Sequence, residues 1–499
     1  MSTSTPCIRA AMPSMQYTNQ EELALEKAPT QQRTYGAEKK GGNTALQTIV
    51  SQQQGSMESC PQAHDAVFGV VTEGGPNYRS VGWIGTAFLM MKTQIGLGVL
   101  SIPVVFETLG MIPGVICLLV IATITTWSDY VVGVFKFKHP EVYGIDDVGR
   151  LVAGSPGYWI MGGAFCLYFI FLSGSAMLSI SIAFNAVSLH GTCTAVFVAV
   201  AAILAFLLGS IQTLGRISWL AWIGVVTLLS AIFAVTISVG LEDKPADAPD
   251  GPWESDYQLT ASPSFADAAA ALSSLVFAYA GTPAFFSIVS EMRDPRQYTK
   301  SLVLCQGVVT VVYVIIGIVV YYYCGSYVAS PALGSAGQLM KRISYGLALP
   351  GLIVSMTLMT HLPAKYVFVR ALGGTKHLTS NTLIHWAVWL GCTAGTALIA
   401  YIIASAIPVF DSLVSLVGAL LGTLMSFQPM GCMWLYDNWG VARENRTMKW
   451  KLMVCWCVFV IVSGSFLMIA GTYGSVISIM ESYSEDGGTS AWSCADNSG

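Results

Sequence analysis

Two long apolar segments of this chain are each interrupted near the middle by residues that a helix tolerates poorly. The first, from Gly82 to Glu107, contains Lys92-Thr-Gln-Ile-Gly-Leu-Gly-Val-Leu-Ser-Ile-Pro103. The second, from about Asp267 to Met292, contains Phe277-Ala-Tyr-Ala-Gly-Thr-Pro-Ala-Phe285. Hydrocarbon offers no hydrogen bonds, so unwound backbone at membrane depth survives only where protein buries it or where it lines a wet cavity. An isolated Gly-X-Gly is more simply read as a place where two helices pack closely. A second break of the same kind, in another long apolar segment, argues instead for a built pair of hinges.

Composition agrees with a membrane location. Of 499 residues, 54% are hydrophobic and only 10% charged, where a soluble domain carries about 25% charged residues. A net charge of −4 leaves no basic face to neutralise phosphates, which excludes a nucleic-acid partner. Residues 1–80 differ from the rest: they are rich in Gln, Ser and Thr and lack the basic start and apolar run of a signal peptide. They are expected to form a disordered cytosolic tail, with Lys27, Lys39 and Lys40 as candidate regulatory handles or simply solvated charges. Residues 81–480 form the expected membrane domain, and 481–499 a short extracellular or lumenal tail.

A membrane pass takes roughly 20 apolar residues. Eleven segments qualify: 82–107, 110–135, 157–185, 192–212, 217–240, 266–291, 301–325, 347–370, 382–406, 408–434 and 451–479. With the N-terminus inside, the outer segments receive only Lys244, Lys341 and Arg342 of the 24 basic residues, and Lys92 and Lys365 fall within passes. All the others lie on the cytosolic side, as the positive-inside rule requires. The sole Asn-X-Ser/Thr sequon, Asn445-Arg-Thr447, then lies in the cytosol and should stay unglycosylated.

The broken segments are passes one and six. Five passes separate their starts, an odd number, so the second five-helix unit enters the membrane upside down. The expected fold is an all-α membrane protein of 11 transmembrane helices, a 5+5 inverted repeat with discontinuous helices 1 and 6. Sites in such folds lie near the midplane, where the half-helix ends meet. N–H groups freed around Gln94, Ile95, Gly96 and Gly98 suit a carboxylate, because a helix N-terminus carries partial positive charge. Carbonyls freed at Phe277, Ala278, Tyr279, Ala280 and Gly281 suit an ammonium. One cleft with both ends suits a zwitterion, hence an amino acid. The rings of Phe277 and Tyr279 line a side-chain pocket or merely pack.

At these residues the chain resembles the amino acid/auxin permease family. The motifs that carry the resemblance are Thr93-Gln-Ile-Gly-Leu-Gly-Val-Leu-Ser-Ile-Pro103 and Phe277-Ala-Tyr-Ala-Gly281, the latter running on to Ser290-Glu-Met-Arg-Asp-Pro295. With His361-Leu-Pro-Ala-Lys-Tyr366, the chain is similar in detail to filamentous-fungal neutral amino-acid permeases (N system). That resemblance covers about 80–475 and implies proton-coupled uptake of neutral and aromatic amino acids. It also implies a hydroxyl near the substrate carboxylate at Tyr168. In sodium-coupled relatives, the position matching Lys92 resembles an Asn that helps hold the ion together with hydroxyls of pass eight.

Lys92 lies about ten residues into its pass, roughly 15 Å deep, and an ionisable group there is a functional candidate by default. Replacing the sodium ion with its own ammonium, it would couple transport to protons by shedding and regaining one; the alternative is a side chain that snorkels to the interface. Thr360, His361 and Lys365 are further coupling candidates on pass eight, His361 because imidazole titrates near neutral pH. Lys365 is nearer the cytosolic end of that pass, where snorkelling is its expected habit. Glu291, Arg293 and Asp294 close the inner half of pass six, either as a gate of ion pairs or as an ordinary cap before Pro295.

Cys193 and Cys324 both face outside in this topology, where a disulfide can form. The resemblance implies a bridge between those two loops, with Cys494 as a competitor. No metal-ligand spacing, nucleophile constellation or cofactor motif stands out, so the expectation is a non-enzyme that needs no metal or cofactor. Its expected partners are an amino acid substrate, protons more than sodium, and the lipid bilayer. The plasma membrane is the expected location. A vacuolar transporter, a sodium symporter or an amino-acid sensor of the same fold remain as alternatives.

Overall fold

The computed structural model describes residues 81–497 apart from 213, 243, 246–247, 249–252, 376, 379–380, 408–409, 441–445, 486–491 and 493. Below residue 81 it describes only the antiparallel strand pair His64–Asp65 and Gly69–Val70. The side chains of 214–218 and 482–485 also lie outside the described part, as do most of the expected N-terminal tail and Asn445 of the sequon.

Apolar runs of membrane length become helices because only a helix satisfies its own backbone in hydrocarbon. They are α1 (Trp83–Gln94), α2 (Ile102–Leu109), α3 (Met111–Lys138), α4 (Ile145–Ser188), α5 (Thr194–Gly209) and α6 (Leu214–Leu241). Next come α7 (Phe265–Tyr279), α8 (Thr282–Ser290), α9 (Tyr298–Cys324), α10 (Gln338–Leu372) and α11 (Leu383–Ala406). Last are α12 (Phe410–Val417), a π turn at Gly418–Gly422, α13 (Thr423–Ser426), α14 (Gln428–Asn438) and α15 (Met448–Glu485). In α4, Gly154 takes φ +68°, and the chain turns there from a short inner helix into the pass proper.

Among the described residues, nine helical stretches are long and apolar enough to cross a membrane; the bent pair α1 and α2 makes ten. The remaining expected pass corresponds to α5, whose 16 residues reach about 24 Å at 1.5 Å per residue, short of the roughly 30 Å hydrocarbon core. Pass six is the innermost element: 94% of its apolar window is buried, against 17% for α15. That contrast puts the broken helices at the centre and the last helix at the lipid-facing edge. Around the centre, α10 packs on α4 and α6, and α9 on α1, α2 and α3.

Loops expected on the same side of the membrane meet one another. On the inner side Lys138 and His139 both reach Asp437 (3.2 and 2.8 Å), and Arg370 pairs with Asp146 and Asp147. On the outer side Glu242 accepts from Gly337 N (2.7 Å), and Asp256 from Ser326 N and Oγ (2.8 and 2.6 Å).

The expected disulfide is corrected. Cys193 is bonded to Cys494, and Cys324 is a buried free thiol. The C-terminal segment lies against the outer ends of α4 and α5: Asn185 Nδ2 donates to Asn497 Oδ1 (2.7 Å), and Thr194 Oγ1 to the Ala495 carbonyl (2.6 Å). Those bonds carry Cys494 to Cys193, while Cys324 ends α9 inside the protein. An even number of passes must separate two residues on one side, and counting α5 there are eight between them. Cys494→Ser should therefore leave Cys193 open to a membrane-impermeant maleimide applied to the face of the membrane opposite the one that exposes Arg446. Labelling of Cys193 from the same face as Arg446 would contradict this placement.

Candidate functional site

Helix α1 ends where Ile95 turns out of the helix (φ −71°, ψ 83°). Beyond the Ile95 N–H, which still reaches the Met91 carbonyl (2.6 Å), the next backbone bond among the described residues joins Leu100 N–H to the Leu97 carbonyl (3.1 Å). A single tight turn, Gly98–Leu100, leads into α2, and the two half-helices are bent by 48°. Pro103 sits in the first turn of α2, where a missing N–H costs nothing because that turn has no intrahelical acceptors. Pass six repeats the device more narrowly. Ala280 leaves the helix (φ −78°, ψ 45°), Gly281 follows, and α8 starts at Thr282 with Pro283 in its first turn.

The two breaks are in contact. A Cβ on Gly98 would lie 2.3 Å from Ala278 Cα, and one on Gly281 would lie 2.4 Å from Thr93 Oγ1. Gln94 Nε2 donates to the Tyr279 carbonyl (3.4 Å). Tyr313 of α9 shares its hydroxyl proton between the carbonyls of Gln94 (2.8 Å) and Ala278 (2.9 Å). The Tyr168 hydroxyl donates to the Ala280 carbonyl. All these residues are buried except Thr93, which is half-buried. Three successive carbonyls of pass six, at Ala278, Tyr279 and Ala280, thus each accept a side-chain donor from a different helix.

Of the expected substrate residues, Gln94, Ile95, Gly96, Gly98, Tyr168, Ala278, Tyr279, Ala280 and Gly281 come together here. Gly96 faces α10: a Cβ there would be 3.2 Å from Ser355 Oγ. Phe277 turns the other way, packing against Gly418 at the π turn. The Tyr279 ring meets Tyr313 edge-on, and its hydroxyl reaches Thr310 Oγ1 (3.2 Å). Sequence reasoning did not find Tyr313, one tyrosine among 21 in an apolar run that carries no other signal.

Lys92 does not snorkel. It is fully buried, and its Nζ donates to the Ile95 carbonyl (3.3 Å) at the open end of α1. Its stem passes Gly224 of α6, whose added Cβ would lie 3.0 Å from Lys92 Cε and 3.0 Å from Val354 of α10. The ammonium therefore sits between passes one, five and eight. Thr360 is nearer to pass three, bonded to Ser173 Oγ (2.7 Å). His361 faces away from the breaks, against Trp389 of α11 (ring centroids 5.4 Å apart).

The inner ends are tied shut. Lys365 also does not reach for the interface: it pairs with Glu291, and both are buried. Val81 N–H donates to the Glu291 carbonyl (3.3 Å), and Arg293 N–H to the Val81 carbonyl (2.8 Å), stitching the start of pass one to the end of pass six. The Arg293 side chain is exposed, and Asp294 caps the following turn through Arg296 N (3.2 Å). Toward the outside, a cavity of about 470 Å³ borders α2 and α7, with Glu107, Asp256, Asp267 and Asp411 in its wall. Slight burial of Asp256 opposes its ionisation, but the hydrogen bonds from Ser326 outweigh that and hold its carboxyl below the usual carboxylate range.

A family profile described as "Transmembrane amino acid transporter protein" matches residues 79–477. A "Transmembrane transporter" of Gibberella moniliformis is 32% identical over 426 residues, covering 85% of this chain and 90% of that one. The "N amino acid transport system protein" of Neurospora crassa is 33% identical over 430 residues, covering 85% and 90%. Among solved structures, the closed form of Mhp1, a nucleobase-cation-symport-1 family transporter, superposes with a TM-score of 0.51 at 12% identity, covering 83% of this chain and 95% of that one. A substrate-bound, outward-open Na+-coupled sialic acid symporter gives a TM-score of 0.50 at 12% identity, covering 80% and 91%. At such identity the likeness speaks for the fold alone, the inverted-repeat arrangement with broken passes one and six.

Proposed function

Because the chain belongs to the family of transmembrane amino acid transporter proteins, we propose that it imports neutral, including aromatic, amino acids across the plasma membrane by proton symport with alternating access. The carrying observation is the row of carbonyls at Ala278, Tyr279 and Ala280, each facing a donor from Tyr313, Gln94 or Tyr168. An ammonium is a compact triple donor and can take the place of such groups, while the N–H groups of Gly98 and Val99, ahead of the bonded Leu100, suit the carboxylate. Binding would then exchange internal hydrogen bonds for substrate bonds and so alter how the two breaks hold each other. The name of the Neurospora relative supports an amino acid as cargo. The acidic outer cavity favours entry of a species with a positive end and disfavours a net anion.

Protons rather than sodium are favoured by Lys92. Its ammonium fills the space between α1, α6 and α10 and holds the Ile95 carbonyl, as a bound cation would. The test is uptake of labelled neutral amino acids into proteoliposomes under an inward-directed proton gradient, with choline in place of sodium. Accumulation above equilibrium that a protonophore collapses is expected; a requirement for sodium would overturn the coupling. Lys92→Gln should lose uphill accumulation while keeping exchange of labelled for unlabelled substrate. Proton-driven accumulation at the wild-type level in that variant would remove Lys92 from the mechanism.

A further inference from the structure

Asp129 is an intramembrane acid that the mechanism above does not use. It lies on α3, nine residues and roughly 14 Å from the inner end of that helix at Lys138, and it is fully buried. Gln306 Nε2 of α9 donates to its Oδ2, and the Tyr298 hydroxyl to its backbone carbonyl (2.7 Å). Neither its buried Oδ1 nor the buried hydroxyl of Thr282 makes a hydrogen bond of ordinary length, but the hydroxyl borders the carboxyl closely enough to act on it. Thr282 is the first residue of α8, immediately after the break in pass six. The neighbourhood also touches the break in pass one, because Cys305, next to Gln306, contacts Gln94 Oε1 (4.0 Å).

Among the described residues, no cation pairs with Asp129. The titratable groups facing it are Tyr298 and Cys305 of α9, both neutral at physiological pH. Thr282 is the neighbour from α8. Lys136, on the same helix, is engaged with the Val142 carbonyl and Ser290 Oγ. An amide and a hydroxyl do not cancel a full charge, and an unpaired carboxylate out of water is strongly disfavoured. The acid form removes that charge, whereas the Thr282 hydroxyl is a donor that can serve only the ionised Oδ1, so its loss should favour the acid form.

We propose that Asp129 is a second proton-binding site of the transport cycle, protonated while α8 is docked on α3 and discharged when α8 swings away. On opening of the inner end, the Oδ1–H bond breaks, the proton passes to cytosolic water, and the carboxylate is left hydrated. This inference rests on the proton-symport reading and adds a site on the opposite side of the breaks from Lys92.

The test uses the full-length protein in proteoliposomes, with a pH dye inside and labelled substrate outside, to read protons moved per substrate. Asp129→Asn keeps an acceptor for Gln306 and mimics the acid. Its ratio should fall by one proton per substrate, and the carbonyl-stretch infrared band of a protonated carboxyl should weaken against wild type. An unchanged ratio together with an unchanged band overturns the proposal and leaves the symport reading intact. Wild-type transport with no proton movement overturns both. If Asp129→Asn does not insert, Thr282→Val serves instead: a pH profile of uptake displaced toward alkaline values supports the site, and an unmoved profile overturns it.

Discussion

Gly98→Ala should reduce amino acid uptake to background in protein that still reaches the membrane. The added methyl would stand 2.3 Å from Ala278 Cα, 2.9 Å from Ala278 Cβ and 3.0 Å from Ala278 N. Two of these are backbone atoms, and no side-chain rotation relieves them. The breaks must therefore move apart, which lengthens the hydrogen bonds from Tyr313 to Gln94 and Ala278 and from Gln94 to Tyr279. Forcing one methyl into a packed core costs about 1–3 kcal/mol, too little on its own to unfold a protein held by a core of this extent. Function suffers more, because positions near a bound substrate tolerate displacements well under 1 Å. Gly391→Ala on α11 is the control, since a Cβ there meets nothing within 4 Å; it should leave uptake unchanged and raise helix stability by up to about 1 kcal/mol. Uptake and thermal unfolding of both variants decide the matter. Wild-type uptake in Gly98→Ala would mean that the two breaks do not work in contact.

The breaks were legible because only Gly and Pro announce unwound backbone, and both appear at matching places in two apolar runs. The fold followed from that symmetry together with the family resemblance and the side bias of Lys and Arg. What lay beyond reach was pairing across the structure. Nothing local distinguishes Cys324 from Cys494 as the partner of Cys193, because the choice is made by the C-terminal segment bonding to Asn185 and Thr194. Lys365 was read as an interfacial lysine because depth was counted along one helix, and its partner Glu291 comes from another. Tyr313 carries no periodic signal at all. Asp129 is different: a carboxyl inside the apolar run 110–135 is open to the same depth argument that singled out Lys92. The inner seal made by Val81 with Glu291 and Arg293 is backbone to backbone, and side-chain types do not report it.

The buried pair Lys365–Glu291 should respond differently to losing one charge than to losing both. Both residues are nearly inaccessible, with 5% and 1% of their side chains exposed. At 4 Å, two unit charges attract by about 4 kcal/mol at an effective dielectric of 20, and stripping water from each ion costs several kcal/mol in the other direction. The pair as a whole is then close to neutral for stability, but either ion alone keeps its penalty without the attraction. Lys365→Met and Glu291→Gln should each lower unfolding stability by about 3–5 kcal/mol. The double variant should recover most of that loss, a coupling that a double-mutant cycle by thermal unfolding in detergent reads directly. Recovery of stability should not restore the gate, because the ion pair that cross-links α10 to the end of α8 is gone. The double variant should therefore let preloaded substrate leak from proteoliposomes with no exchange partner outside, where wild type retains it. A double variant whose loss equals the sum of the two single losses would show that Lys365 and Glu291 do not depend on each other. A double variant that folds and retains substrate would move the inner seal from this ion pair to the backbone bonds beside it.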